Sequence, residues 1–364
     1  MRSLALLLTC TLLVGAAYYT VPLKVVSINA LSPRYNFFGW FPVAAEFLQY
    51  MLDSVRYATL ISHFFSISDA DVVNFQEVSI NAACLSNTSY IIGGGNWEPI
   101  SAAMQTLGYT CFIAFHDSRH WWKYYDYEAC DQYNSYTPTG NGICVKTSSF
   151  SNIRFESALL NNGSALAIAV VDYADEKDVR FISTHEDSDI QGQRVQEFDE
   201  TFLERYPASA PGIVVVCGDY NTRKDFGSFR NRLASSGYTD PVEDLFKANG
   251  ELERLVPSQA LSTGWYSNAQ HAVSARHSGN IDFCLVKTGS AIADPVVASG
   301  DGSLYGYPNS TRSGVMDFQL WTKYPSPNPN SYDTSEPYRT GEAMKLWGSD
   351  HFGYAATLRL RKNF

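Results

Sequence analysis

The sequence holds no Cys-x-x-Cys pair, which removes a zinc ribbon and a thioredoxin-type redox site from consideration. Beyond a short stretch at its start it has no apolar run near the roughly 20 residues that a bilayer crossing requires, so no membrane-spanning helix is expected in its body. Nothing recurs at a solenoid period, which argues against a repeat architecture. Positive charge is scarce: 27 Lys and Arg stand against 37 Asp and Glu, a formal net charge of −10. Such a field repels polyanions at long range and argues against a tight nucleic-acid binder, though not against a hydrolase that holds a phosphate briefly with the help of a cation. What is present is the make-up of a folded globular chain, 45% hydrophobic and 18% charged over 364 residues, enough for one large α/β domain or two small ones.

The first residues read as an export signal. Arg2 supplies a positive start, Leu4 to Val14 an apolar run, and Gly15-Ala16-Ala17 a small-residue cleavage site. A signal peptide over 1–17 and a secreted, extracellular chain from residue 18 are therefore expected; an N-terminal core strand or an uncleaved anchor is the alternative. Cys10 falls in that segment. Cys84, Cys111, Cys130, Cys144, Cys217 and Cys284 remain, an even number compatible with disulfides in an exported protein. Cys217 and Cys284, inside apolar strand-like runs, read equally well as buried thiols. Sequons at Asn87, Asn162 and Asn309 fit a glycoprotein on a eukaryotic secretory route.

Short β-rich runs alternate with helical patterns, the signature of an α/β architecture. Strands are expected at 23–28, 71–75, 142–146, 165–172, 179–183, 213–217, 281–286 and 354–360, and helices at 41–65, 99–107, 191–205 and 226–236. Two segments look like loop insertions: 114–140, dense in Trp, Tyr and charge, and 301–348, rich in Pro, Asn, Ser, Tyr and Gly. No linker divides the chain, so 18–364 reads as a single catalytic domain.

Several apolar runs end in a residue suited to metal or phosphate chemistry. Ile28 leads to Asn29, Asn74-Phe75-Gln76 to Glu77, Ser183-Thr184 to His185, Cys217-Gly218 to Asp219-Tyr220-Asn221, Ile281 to Asp282, and Gly348-Ser349 to Asp350-His351. In open α/β sheets, ligands bind where strand ends converge. A hard cation such as Mg²⁺, or Mn²⁺ or Ca²⁺, takes carboxylates together with phosphate oxygens and water. Carboxamides and imidazoles donate hydrogen bonds to the charge that develops on phosphorus-bound oxygens. Each residue alone reads as a turn former or a cap; their order along the chain is the signal.

That ordered set resembles the endonuclease/exonuclease/phosphatase superfamily, the fold of DNase I and of neutral sphingomyelinases. The matching motifs are Ser27-Ile28-Asn29, Asn74-Phe75-Gln76-Glu77-Val78, Ser183-Thr184-His185, Gly218-Asp219-Tyr220-Asn221, Ile281-Asp282-Phe283 and Gly348-Ser349-Asp350-His351, and Gly140-Asn141-Gly142-Ile143 looks like the glycine-rich start of a central strand. The resemblance implies a four-layer α/β/β/α sandwich. It implies Glu77 as main metal ligand, with Asn29 supporting metal or phosphate. Asp219 would orient and activate water, and Asn221 and His185 would stabilise the transition state. His351 would act on the phosphate or as base, held by Asp282, with Asp350 an accessory metal or water-orienting group. Three departures stand out: Glu186-Asp187 follows His185 where relatives carry an apolar residue, Asn280 precedes Ile281 where many have a basic one, and Phe352-Gly353 follows His351.

The substrate implied is a phosphoester, either nucleic acid or a phospholipid head group. A DNase-like nuclease is the first reading, although Arg119, Lys123, Arg223, Lys224, Arg230 and Arg232 are scattered rather than gathered in a groove. A sphingomyelinase-like lipid phosphodiesterase is the second, with Trp121-Trp122 as a loop for substrate or transient membrane contact, or else an aromatic loop packed on its own domain. An inositol-phosphate phosphatase ranks lower, because its Trp-Cys-Asp-Arg motif is missing, and a non-catalytic binding protein lower still. No obligate protein partner is inferred.

Overall fold

The structure is a computed structural model that describes residues 20–30, 70–80, 96–117, 139–186, 191–222, 227–241, 243–244, 281–293, 304–305, 320–323, 343–346 and 353–361. In chain order the elements are β1 (Leu23–Asn29), β2 (Val72–Ser79), α1 (Trp97–Thr106), β3 (Tyr109–Phe115), β4 (Thr139–Lys146), β5 (Ser151–Leu159), β6 (Ala165–Tyr173) and β7 (Glu176–His185). There follow α2 (Gln191–Asp199), which runs on into a π-helical turn (Glu200–Arg205), β8 (Val214–Asp219), α3 (Gly227–Ser236), β9 (Tyr238–Thr239) and β10 (Asp282–Lys287). The last are β11 (Ala291–Ala293), β12 (Leu304–Tyr305), β13 (Leu320–Lys323), β14 (Ala343–Leu346) and β15 (Gly353–Leu360).

Two mixed sheets carry the fold. The first runs β11-β15-β1-β2-β4-β3, with β12 also on β15; the second runs β5-β6-β7-β8-β10-β9. β1 and β2 pair in parallel, as do β7 and β8, and their other neighbours are antiparallel. The sheets stack face to face, β1 against β8, β2 against β7 and β4 against β6. Strand alternation sorts the core. Val25, Val72, Ile143 and Val145 turn toward the second sheet, while Val26, Val73, Phe75 and Cys144 turn away and pack on α1 through Trp97, Ile100 and Met104. Gly142 makes room for that helix, since a Cβ there would lie 2.3 Å from the Trp97 ring. Behind the second sheet, Phe198 and Phe202 of the α2 region and Phe229 of α3 pack with Tyr220, Tyr238 and Phe283.

Every strand expected from the sequence is present, with ends shifted by a few residues. Outside 301–348, four strands were not anticipated, β3, β5, β9 and β11, and all four are edge strands. β5 is exposed or half-buried along its whole length, so its sequence carries no apolar run. The segment 301–348 is not purely loop: β12 joins the first sheet and β13 pairs with β14. The signal peptide, the helix expected at 41–65, Cys84, Cys130, Asn87 and Asn309 lie outside the described residues. Asn162 is described, and its side-chain amide donates to Glu197 Oε1 at 2.6 Å.

Cys217 and Cys284 are not thiols. They form a disulfide across the β8–β10 ladder, and Cys111–Cys144 forms another across β3–β4. In each case the two residues are directly opposed, Cys217↔Cys284 and Cys111↔Cys144, with Cα atoms 4.1 Å apart. Two apolar runs that meet in register bring their cysteines together, which neither run reveals alone. Replacing Cys217 and Cys284 together by alanine is expected to cost about 2 to 4 kcal/mol, because the bond closes a long loop in the unfolded chain. Urea unfolding of the double variant measures it, and an unchanged midpoint would show that the bond contributes nothing.

Candidate functional site

Asn29 ends β1 and is fully buried. Alternation along the strand turns it, like Ser27 before it, into the space between the sheets. Its amide nitrogen donates to Glu77 Oε1 at 2.9 Å and to Asp219 Oδ2 at 3.1 Å. One carboxamide thus joins a carboxylate of the first sheet to a carboxylate of the second.

Glu77 reaches that position through a fault in β2. Val72, Asn74 and Gln76 face inward, so regular alternation would send Glu77 to the opposite face. Instead the β2–β4 register breaks between Phe75 and Val78, and Glu77 takes a φ of 53°. That left-handed conformation costs a glutamate about 1 kcal/mol and needs support from its surroundings. The support is a buried polar seam. Gln76 Nε2 donates to Ser183 Oγ at 3.0 Å, Ser27 Oγ to Gln76 Oε1 at 3.3 Å, and Ser183 Oγ to the Phe75 carbonyl at 3.1 Å. All three side chains are 0% exposed. Bulges commonly re-aim a side chain beside a functional site.

The second sheet supplies the other half. Asp219 ends β8 opposite His185 of β7 on one side and Asp282 of β10 on the other. Gly218 permits this, because a Cβ there would sit 1.9 Å from the Thr184 carbonyl oxygen. Asp219 Oδ1 accepts the Asn221 backbone N–H at 2.8 Å, closing a turn in which Asn221 has a φ of 47°. Asparagine tolerates that conformation better than most residues. The Asn221 amide nitrogen lies 2.8 Å from the Glu186 carbonyl and 2.9 Å from His185 Nε2. The carbonyl can only accept, which fixes the amide's orientation; its second hydrogen then points at His185 Nε2, which accepts in this arrangement. Asp219 Oδ2 is 3.6 Å from the same ring nitrogen. Beneath the turn, Tyr220 stacks on Phe283 with ring centroids 4.1 Å apart.

Asn29, Glu77, His185, Asp219, Asn221 and Asp282 therefore stand at one polar end of the two sheets. Asp350, His351, Trp121 and Trp122 lie outside the described residues, and with them the expected Asp282–His351 pairing. Among the described residues no group of three or more His, Cys, Asp and Glu is placed to cage a metal. The donor set fits a hard cation all the same. Glu77 and Asp219 converge on one amide and repel each other across it, and a cation that takes one or two carboxylates and keeps its waters relieves that repulsion.

Two further residues belong to this end. His116 directly follows β3, is 4% exposed, and accepts the Ala165 backbone N–H on Nδ1 at 3.0 Å. It carries the same mark as the others, a polar residue directly after a strand, but the mixed burial of β3 hides that strand in the sequence. Glu186, noted above as a departure, is 1% exposed, with its backbone N–H on the Asp219 carbonyl at 3.0 Å and Oε2 without a hydrogen-bond partner. Burial pushes its carboxyl well above the usual range, Glu197 and Asp219 push further, and Arg194 opposes them.

A carboxyl whose pKa is raised by folding supports the fold below its unfolded value, near 4.5, and loses that support as pH climbs toward the folded value. Glu186→Gln keeps the shape and cannot ionise. The variant should therefore gain stability relative to the parent between about pH 4.5 and 7, measured by urea unfolding at both ends. A stability difference that does not change with pH would show that Glu186 ionises freely in the folded protein.

Comparison with known proteins follows the same lines. A sequence profile of the Endonuclease/Exonuclease/phosphatase family matches residues 35–351. No curated protein sequence matches the chain. Among solved structures, an endonuclease/exonuclease/phosphatase from Beutenbergia cavernae DSM 12333 is similar over 93% of this chain and 72% of its own, with 14% identity and a TM-score of 0.53. An endonuclease/exonuclease/phosphatase family protein from Bacteroides thetaiotaomicron is similar over 94% and 97%, with 11% identity and a TM-score of 0.52. Truncated TDP2 of Caenorhabditis elegans is similar over 93% and 98%, with 14% identity and a TM-score of 0.50. At these identities the likeness is one of fold.

Proposed function

Because this chain belongs to the Endonuclease/Exonuclease/phosphatase family, we propose that it is a secreted, divalent-metal-dependent phosphodiesterase with nuclease-type activity. Members of the family hydrolyse phosphoester bonds, and the two-sheet architecture is theirs. The observation that carries the finer reading is the Asn29 amide held between Glu77 and Asp219, with His185 and Asn221 beside them.

Glu77 is the principal metal ligand, and Asn29 holds its carboxylate in place. A divalent ion, Mg²⁺ or else Mn²⁺ or Ca²⁺, neutralises the phosphate and polarises it when bound. Asp219 orients the attacking water and takes its proton as the water oxygen bonds to phosphorus and the bond to the leaving oxygen breaks. Asn221 and His185 donate to the phosphate oxygens as negative charge grows on them. His185 Nε2 accepts from the Asn221 amide in this arrangement, so it donates only once that contact opens and the ring carries a hydrogen on Nε2. Asp282, Asp350 and His351 complete the site, with His351 acting on the phosphate or as base.

Export is supported by the two cross-strand disulfides, which form and persist in oxidising compartments. Among the described residues no helix is long and apolar enough to cross a membrane. Cleavage after Ala17 predicts a mature chain beginning at Tyr18, which N-terminal sequencing of secreted protein checks; intact Met1 on intracellular protein would overturn export.

A panel of plasmid DNA, RNA, sphingomyelin and inositol phosphates, each with and without Mg²⁺, tests the activity. DNA or RNA cleavage that requires the metal is expected; turnover of sphingomyelin alone would move the substrate to phospholipid head groups. Glu77→Gln should keep the fold and lower kcat/KM by about a hundredfold or more, since the charge that holds the ion is gone. Undiminished Mg²⁺-dependent turnover in that variant would remove Glu77 from its role.

A further inference from the structure

His116 is held in one chemical state by its surroundings. Its backbone N–H donates to the Thr139 carbonyl at 2.9 Å, where β3 and β4 part, and its ring crosses to the second sheet. There Nδ1 accepts the Ala165 N–H at 3.0 Å, while the Ala165 carbonyl accepts the Asn141 amide at 2.7 Å. The first residue of β6 is thus gripped on both sides by the first sheet. A backbone N–H can only donate, so Nδ1 bears no proton and the neutral ring carries its hydrogen on Nε2. Burial pushes the His116 pKa down to about 3, with His185 nearby adding to the effect.

The location matters as much as the state. β6 pairs with β7 through Ala167↔Ser183, so the ladder continued by two residues sets Ala165 beside His185. His116 therefore stands next to the imidazole already placed in the site, at the same polar end, and closes β3 as His185 closes β7. A charged histidine at this spot would change its donor capacity with pH. A ring locked neutral by an accepted backbone hydrogen bond keeps one N–H donor in one orientation.

We propose that His116 is a further site residue, a fixed uncharged imidazole whose Nε2–H binds a non-bridging oxygen of the substrate's phosphate alongside His185. The assignment rests on the phosphodiesterase reading above, and it adds a donor outside the residues that the family resemblance marks out.

Asparagine separates the two jobs of this ring. The Oδ1 of His116→Asn can accept the Ala165 N–H in place of Nδ1, but nothing replaces the Nε2–H. His116→Ala loses both. In the full chain with Mg²⁺, ¹⁵N-histidine NMR should show His116 protonated on Nε2 and bare on Nδ1, and titration with inorganic phosphate should move the Nε2 signal. His116→Asn should keep the parent Tm, bind phosphate about tenfold more weakly and lose roughly tenfold or more in kcat/KM on the substrate found by the panel, whereas His116→Ala should also lose Tm. An Nε2 signal that phosphate does not move, a parent that binds no phosphate, or a His116→Asn variant that binds phosphate as the parent does would each overturn the proposal. A parent that hydrolyses nothing in the panel would instead sink the phosphodiesterase reading, and the phosphate titration would still decide His116.

Discussion

The carboxamide of Asn29 holds two carboxylates that would otherwise push apart, and the site's geometry follows from that one contact. Glu77 and Asp219 come from different sheets, so the contact sets where the sheets meet at their polar ends. It demands that Glu77 leave the outer face of β2, hence the break in register and the left-handed backbone. It demands that Asp219 lie close beside β7, hence a glycine before it where a Cβ would strike the Thr184 carbonyl. The Ser27–Gln76–Ser183 seam anchors the bulge from behind. Buried polar groups joined in this way rigidify a core only when each finds a partner, and these do.

Much of this was legible in the sequence. Strands covered on both faces, such as β8, leave unbroken apolar runs, and a polar residue at the end of such a run marks the ligand-facing edge; Asn29, Glu77, His185, Asp219 and Asp282 were found in that way. The rest was hidden for definable reasons. β5 lies at an edge with mixed exposure, so period-two patterning has nothing to show. The segment 114–140 reads as an insertion from its first residue, and so takes in the end of β3 and His116. The bulge could not be read, because Asn74-Phe75-Gln76-Glu77 alternates as an ordinary strand would and only the partner strand reveals the break. The disulfides were hidden in the same sense: opposition across a ladder is a property of two strands, not of either.

Charge behaves differently at the surface and inside. The chain's net negative charge acts at long range, but near the site the issue is how carboxylates coexist. Asp219 is stabilised by donors from Asn29 and Asn221. Glu186, one residue beyond His185, is pushed toward its protonated form by burial and by Glu197 and Asp219. A second full negative charge behind Asp219 would weaken any donor that must approach a phosphate from the His185 side. The shift toward the protonated form weakens that field, and the Glu186 carbonyl orients Asn221.

The Cys217–Cys284 bond lies two residues from Asp219 on one strand and two from Asp282 on the other. A chain cut at any single peptide bond between those cysteines would yield two fragments that stay covalently joined at the strands bearing these aspartates. Under the proposed export, where the chain would meet proteases, the bond would act as a hinge pin: a nick in that 67-residue span creates new termini without setting the two halves of the site free to diffuse apart.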